Sequence, residues 1–254
     1  MLRSRLIPCL LLEDDGLVKT RGFSASKYIG DPINAIRIFN EKRADELVIL
    51  DISASRYQKP PNFELIQDFA EECKMPLCYG GGIKTFDDAA RIISLGVEKV
   101  AVSSLIYESP NVIKNIIRSI GSQSLVCVVD IKRSRVFSRY DVYSNNGKVK
   151  QNIKLDDLLN ELMCLGVGEI IINNIDRDGK MSGFDMDLFK FVRSRVTSPI
   201  TMLGGAGSLE DVRELVSASD TVGAGCGSLF VLKGKFRAVL ISYPTVKVKL
   251  DITC

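Results

Sequence analysis

The residues of this chain best suited to chemistry lie in two glycine turns, one in each half. Gly81-Gly82-Ile83-Lys84-Thr85-Phe86-Asp87-Asp88 leads on to Val100-Ala101-Val102-Ser103-Ser104, and Gly204-Gly205-Ala206-Gly207-Ser208-Leu209-Glu210-Asp211 leads on to Val222-Gly223-Ala224-Gly225-Cys226-Gly227-Ser228. A glycine turn that feeds a helix N-terminus offers free N–H groups and the positive end of the helix dipole, which together hold phosphate without a cation. A plain turn explains either copy alone; the doubled pattern points to a duplicated half-barrel and a substrate with a phosphate at each end. Asp130 closes the apolar run LVCVVD and is followed by Ile131-Lys132-Arg133. A carboxyl group at an apolar mouth has its pKa raised by burial and can serve as general acid or base. An aspartate that merely caps the next turn reads the same way. Asp176 and Asp178, in Ile175-Asp176-Arg177-Asp178-Gly179, carry a similar ambiguity, because Asp-Gly is a common turn pair. Lys19 either neutralises a phosphate or is a solvated surface lysine. The chain has no histidine, which excludes imidazole bases, Ser-His and Cys-His pairs and imidazole metal ligands. The carboxylates and cysteines lack metal-ligand spacing, so neither metal nor cofactor is expected.

These residues need a frame, and the hydrophobic pattern supplies one. Short β-branched runs predict strands at Leu6–Leu11, Leu47–Asp51, Leu77–Tyr79, Lys99–Ser103, Leu125–Asp130, Glu169–Asn173, Ile200–Leu203 and Thr221–Gly225. Longer amphipathic stretches predict helices at Pro32–Lys42, Asn62–Glu72, Phe86–Leu95, Asn111–Ser119, Leu155–Leu165, Asp185–Ser194, Leu209–Ala218 and Lys235–Ser242. Such alternation, with no Pro/Ser-rich linker, predicts one (β/α)8 TIM barrel over residues 1–254 rather than a doubly wound sheet. Gly16–Ile29 reads as a long loop after the first strand. Arg133–Val149, polar and alternating, reads as a two-stranded excursion after the fifth. Both fall where a barrel places its active-site loops.

Composition excludes several classes. At 46% hydrophobic and 26% charged residues with a net charge of +3, the chain suits a soluble protein and gives no footprint for nucleic acid or a membrane surface. Seven cysteines, an odd number with no CxxC pair, fit reduced thiols and a cytoplasmic location. The apolar run Leu6–Leu12 is too short for a signal peptide and ends at Glu13-Asp14-Asp15.

Along nearly its whole length the chain resembles the cyclase subunit (HisF) of imidazole glycerol phosphate synthase. The resemblance rests on Arg5-Leu6-Ile7-Pro8-Cys9-Leu10, Lys19, Gly30-Asp31-Pro32, Asp45-Glu46-Leu47-Val48, Leu50-Asp51-Ile52-Ser53-Ala54-Ser55, Gly80-Gly81-Gly82-Ile83, Asp130, Gly168-Glu169-Ile170, Ile175-Asp176-Arg177-Asp178-Gly179 and Gly204-Gly205-Ala206-Gly207. It implies a (β/α)8 barrel paired as a heterodimer with a HisH-like glutaminase. Ammonia released there crosses the barrel and attacks a bisphosphorylated ribonucleotide. The resemblance further implies that Lys19, Gly81, Gly82, Ser103, Ser104, Asp178, Gly179, Gly204, Gly205, Gly227 and Ser228 bind a phosphorylated small molecule. Arg5, Glu46, Lys99 and Glu169 would gate the ammonia channel, and Glu98 would face a basic residue of the glutaminase.

The chain also departs from that pattern. The family uses two catalytic aspartates, of which Asp130 matches the second; at the first position stands Leu11, which cannot move a proton. Ser103-Ser104 stands where the family has Asn-Thr, and Leu203 where it has serine. Gly227–Val231, with Gly234-Lys235 and Arg237–Ile241, resembles instead a HisF-like variant group associated with surface-polysaccharide synthesis. That resemblance implies ammonia relayed to a sugar amidotransferase that modifies a nucleotide-linked sugar. Two rivals stand beside it: the cyclase of histidine biosynthesis, and a non-conducting activator of the glutaminase.

Overall fold

In a computed structural model the described residues are 3–134, 140–219 and 221–253. The strands are β1 (Arg5–Glu13), β2 (Gly16–Lys19), β3 (Lys27–Gly30), β4 (Leu47–Asp51), β5 (Leu77–Gly80), β6 (Lys99–Val102), β7 (Leu125–Arg133), β8 (Tyr140–Ser144), β9 (Val149–Lys154), β10 (Glu169–Asn174), β11 (Ile200–Leu203), β12 (Gly223–Cys226), β13 (Leu232–Lys233) and β14 (Ala238–Val239). Strands β1, β4, β5, β6, β7, β10, β11 and β12 pair in parallel in that order, and β12 returns to β1 through Arg5↔Gly223 to Pro8↔Cys226. The barrel is therefore closed, as the alternating pattern predicts.

Strand alternation sorts the apolar residues into two cores. On β1, Leu6, Leu10 and Leu12 face the helical layer, where they join the large core that includes Phe39, Phe69 and Phe189. Ile7 and Cys9 face the lumen and pack with Val48, Cys78, Ala101, Val126, Val128, Ile171 and Leu203. The duplication predicted from the glycine turns is visible in the helix starts that follow them. Thr85 and Asp88 cap the helix Phe86–Ser94 reciprocally, and Ser208 and Asp211 do the same for Leu209–Ser217. Each box satisfies two N–H groups that a helix start leaves unpaired.

Three predicted segments differ from the structure. Gly16–Ile29 is not a plain loop: β1 turns at Asp14 and Asp15, both at positive φ (48° and 62°), and runs back antiparallel as β2, which pairs with β3. Two consecutive left-handed residues match the twist of a tight hairpin, and short acidic side chains tolerate that conformation. The excursion after the fifth strand exists as β8 and β9, with its second strand reaching Lys154 beyond the predicted limit; residues 135–139 lie outside the described residues. Lys235–Ser242 is not the eighth helix. Leu232–Lys233 and Ala238–Val239 form a small antiparallel hairpin, closed by Arg237 N–H donating to the Gly234 carbonyl at 3.0 Å. The helix falls instead at Val246–Thr253, after Pro244. The apolar residues that suggested a helical face there, Phe236, Val239 and Leu240, remain exposed.

Candidate functional site

A cavity of about 220 Å³ opens at the C-terminal ends of the barrel strands. Leu11, Lys19, Gly81, Gly82, Ser103, Ser104, Asp130, Asp178, Gly179, Gly204, Gly205, Gly227 and Ser228, scattered through the sequence, all line it. The glycines are demanded by the fold itself. Gly81 (φ 129°) would place a Cβ 2.5 Å from the Asp51 carbonyl oxygen, and Gly205 (φ 115°) one 2.0 Å from that of Gly183. No other residue type fits there, so their presence alone does not require a phosphate. More telling are the groups around them. Ser103 Oγ and Ser228 Oγ are buried at the cavity without a hydrogen-bond partner among the described residues, and an unpaired buried polar group is costly unless a ligand or water completes it.

Asp130 stands at the lumen mouth on β7, on the same inward face as Val126 and Val128. The one hydrogen bond to its carboxyl group among the described residues comes from Asn173 Nδ2, at 2.9 Å to Oδ1. Burial pushes its pKa from 3.8 up to about 7; the Asn173 bond and nearby Lys132 pull down, while Asp178 pushes up. Such a group exchanges protons near neutral pH. Leu11, following Ile7 and Cys9 along the inward face of β1, lines the same cavity, so the carboxyl missing from β1 is missing from the lumen mouth. Glu13 does not replace it: its carboxylate accepts from Ser26 Oγ and pairs with Arg56.

Lys19 is no solvated surface lysine. It is buried at the mouth, with Nζ 2.6 Å from Asp178 Oδ1, and Thr20 Oγ1 donates to the other Asp178 oxygen at 2.9 Å. Asp176 is structural, accepting from the Arg133 amide at 2.7 Å and so holding the extension of β7. Ser104 Oγ bonds Asn145 Oδ1 at 2.9 Å, and Asn146 Nδ2 donates to the Ile52 carbonyl at 3.1 Å. The tip of the β8–β9 hairpin thus leans onto the cavity, and Asn145, Asn146 and Asn173 are site residues that the sequence reading did not single out. The Asn173-Asn174 pair, polar at the C-terminal end of an apolar strand, was the signal available.

At the opposite end four charges interlock. Arg5 pairs with Glu46 and, at 2.8 Å, with Glu169; Lys99 Nζ lies 2.8 Å from Glu46 Oε1 and 2.9 Å from Glu169 Oε2. Thr201 Oγ1 donates to Glu169 Oε1 at 2.6 Å. Burial works against the Glu169 charge, but Arg5 and Lys99 outweigh it and hold the carboxyl at about 2. The same pairing raises Lys99 against the opposing effect of burial. Between this ring and Asp130 the barrel interior is filled by the apolar side chains of the inner core. Glu98 is exposed beside the ring, with one oxygen accepting from the Leu77 amide at 2.7 Å. Among the described residues no helix is long and apolar enough to cross a membrane.

These features define a class, the (β/α)8 barrels of duplicated half-barrel design with a site at the C-terminal strand ends. Within it, the chain belongs to the histidine biosynthesis protein family, whose sequence profile matches residues 5–237. A Leptospira borgpetersenii protein provisionally named imidazole glycerol phosphate synthase subunit HisF is 53% identical over 244 residues, covering 96% of each chain. A Pseudomonas aeruginosa protein, provisionally named subunit hisF2 of the same synthase, is 49% identical over 252 residues, 99% of this chain and 100% of the relative. The subunit HisF of Alkaliphilus metalliredigens is 36% identical over 230 residues, 91% of each chain.

Proposed function

We propose that this barrel is the ammonia-using subunit of a HisF-type glutamine amidotransferase, with a HisH-like glutaminase docked at the end that carries the charge ring and Glu98. One observation supports the reading: four paired charges stand at one end of an apolar inner core whose other end meets the cavity beside Asp130. Neutral ammonia tolerates an apolar passage far better than an ion, whose desolvation costs several kcal/mol. Glycine turns, free hydroxyls and Lys19 at the cavity rim suit a phosphorylated small molecule, held mainly by N–H and O–H donors.

Two fates of the nitrogen follow from different features. The names of the relatives favour cyclisation, the formation of imidazole glycerol phosphate from ammonia and a bisphosphorylated ribonucleotide. Asp130 would then move protons in the transition state. Leu11 favours relay, in which nitrogen passes to a separate enzyme that aminates or amidinates a nucleotide-linked sugar for a surface glycan. The deciding experiment supplies the complex of barrel and genomically adjacent glutaminase with amide-labelled glutamine. Stimulated hydrolysis together with labelled imidazole glycerol phosphate supports cyclisation. Stimulated hydrolysis with label appearing only when a sugar amidotransferase is added, at near one-to-one coupling, supports relay. Coupling abolished by an ammonia scavenger in solution would mean that nitrogen travels outside the barrel, leaving a non-conducting activator.

A further inference from the structure

Exposed apolar and basic side chains gather on one small hairpin beside the cavity. The helix Ser228–Val231, whose first residue lines the cavity, runs straight into β13, and β14 returns along it. The turn between the two strands is Gly234–Arg237, with Lys235 and Phe236 at its corners. Turn corners ordinarily take glycine, proline or short polar residues, yet Phe236 is 92% exposed, and Val239 and Leu240 on the return are exposed with it. The hairpin is held in place from several sides. Lys27 Nζ, on β3, donates to the Arg237 carbonyl at 2.8 Å, and Arg237 Nη2 lies 3.5 Å from the Lys180 carbonyl. The Leu240 and Ser242 amides donate to the Val231 and Phe230 carbonyls at 3.0 and 2.8 Å. Lys180 follows the cavity residue Gly179, and Lys27 stands opposite the cavity residue Lys19 on the strand ladder. Hairpin and anchors thus bring together Lys27, Lys180, Lys233, Lys235 and Arg237, none of which has a carboxylate partner among the described residues.

We propose that this hairpin docks the enzyme that accepts the nitrogen, by inserting Phe236 into an apolar pocket ringed by acidic residues on that enzyme. The proposal rests on the relay reading, in which nitrogen leaves the barrel at the cavity end. Two observations choose the occupant. Cations without counter-charges, set around an apolar tip, call for negative charge opposite them. Their place at the cavity rim, away from the charge ring, puts the partner where the nitrogen emerges. An aromatic side chain on an anchored turn makes an interface core, and the surrounding charges steer the approach. A second copy of this chain fits poorly, because a two-fold contact would set the same cations against each other. An anionic membrane would meet the charge but offers no acceptor for the nitrogen.

The test titrates the complex of barrel and glutaminase with the sugar amidotransferase of the same gene neighbourhood, by calorimetry and by stopped-flow kinetics. The wild type should bind it one to one, and more weakly as sodium chloride rises from about 50 to about 500 mM. Phe236→Ser should weaken binding about thirtyfold, the loss of a central aromatic anchor. Lys235→Glu should act mainly on the association rate and flatten its salt dependence. Both side chains are exposed, so thermal melts and stimulated glutamine hydrolysis should match the wild type. No complex with the wild type, or affinity unchanged in both variants, would overturn the proposal. So would a barrel dimer that Phe236→Ser dissociates in sedimentation, or hairpin-dependent binding to phosphatidylserine vesicles but not to the amidotransferase. Nitrogen coupling from amide-labelled glutamine is measured on the same samples. One-to-one coupling with affinity indifferent to the hairpin would sink this surface alone. Hairpin-dependent binding with coupling abolished by an ammonia scavenger would sink the relay reading alone.

Discussion

The two ends of the barrel treat their polar groups in opposite ways. At the ring every charge has its counter-charge, and even Thr201 contributes its hydroxyl to Glu169. At the cavity Ser103, Ser228 and Asn173 keep buried side-chain oxygens with no partner among the described residues, and there the Asp130 carboxyl has a single hydrogen bond. A satisfied network keeps itself shut, since any opening must break charge-assisted bonds in a low-dielectric surround. An unsatisfied one is held together by the fold at a cost that a ligand can repay. The difference separates a closure from a binding surface, although both are rings of polar residues at the ends of the same strands.

The largest test of this contrast lies at position 11. Leu11→Asp should raise imidazole glycerol phosphate formation with saturating ammonium by about 10²–10⁴-fold, the usual worth of a positioned acid or base. Asp130→Asn should abolish what activity there is. Wild-type turnover equal to that of a histidine-pathway cyclase would break the contrast at the cavity end.

Acid should separate the ends next. The folded protein keeps Asp130 neutral up to about 7, while the unfolded chain ionises it from 3.8. Its contribution to stability is full below 3.8 and is lost as pH rises to about 7, roughly 4 kcal/mol at about 1.4 kcal/mol per pH unit. Glu169 has the reverse sign: depressed from 4.5 to about 2, it contributes above 4.5, and that contribution is lost as pH falls toward 2. Urea titrations of wild type and Asp130→Asn across pH 4 to 8 should show the variant gaining relative stability as pH rises; a constant difference would contradict the buried neutral acid.

Lys99→Met should follow, at about 3 kcal/mol of lost stability, because it leaves two buried carboxylates sharing one cation. In the complex with the glutaminase it should uncouple nitrogen transfer from hydrolysis while hydrolysis persists. The smallest effects compare hydroxyls at the two ends. Thr201→Val should cost about 1–2 kcal/mol, since it strips a bond from a charged acceptor. Ser228→Ala should stay within about 0.5 kcal/mol or stabilise slightly, because that hydroxyl has no partner to lose. A large loss from Ser228→Ala in thermal melts would show that the cavity oxygen is satisfied after all.

The barrel was legible because a buried parallel strand announces itself by apolar content alone, and strand, turn and helix recur in order. The last helix was not, because Phe236, Val239 and Leu240 have a helical spacing that only tertiary packing can refuse. The hairpin after β1 was hidden in Asp14-Asp15, whose turn conformation shows in the backbone rather than in any apolar pattern. The candidate residues at the cavity could be gathered from motifs, but Asn173 and Thr201 could not. Each acts on a residue of the neighbouring strand through register, Asn173 opposite Asp130 and Thr201 opposite Ile171, two residues from Glu169. A linear sequence contains no register between distant strands.

The apolar inner core has one more consequence, which is electrical. A lumen walled by Ile7, Cys9, Val48, Cys78, Ala101, Val126, Val128 and Ile171 is an insulator, since it offers no polar chain along which a proton or a metal ion could hop. The ring at its foot carries two positive and two negative groups, whose fields largely cancel at a distance but not for the side chains nearest to them. A low-dielectric interior screens poorly, so charges at either end act on the groups between them: burial raises the Cys9 and Cys78 thiols most, Glu46 and Glu169 push them further up, and Lys19 at the other end pulls Cys9 down.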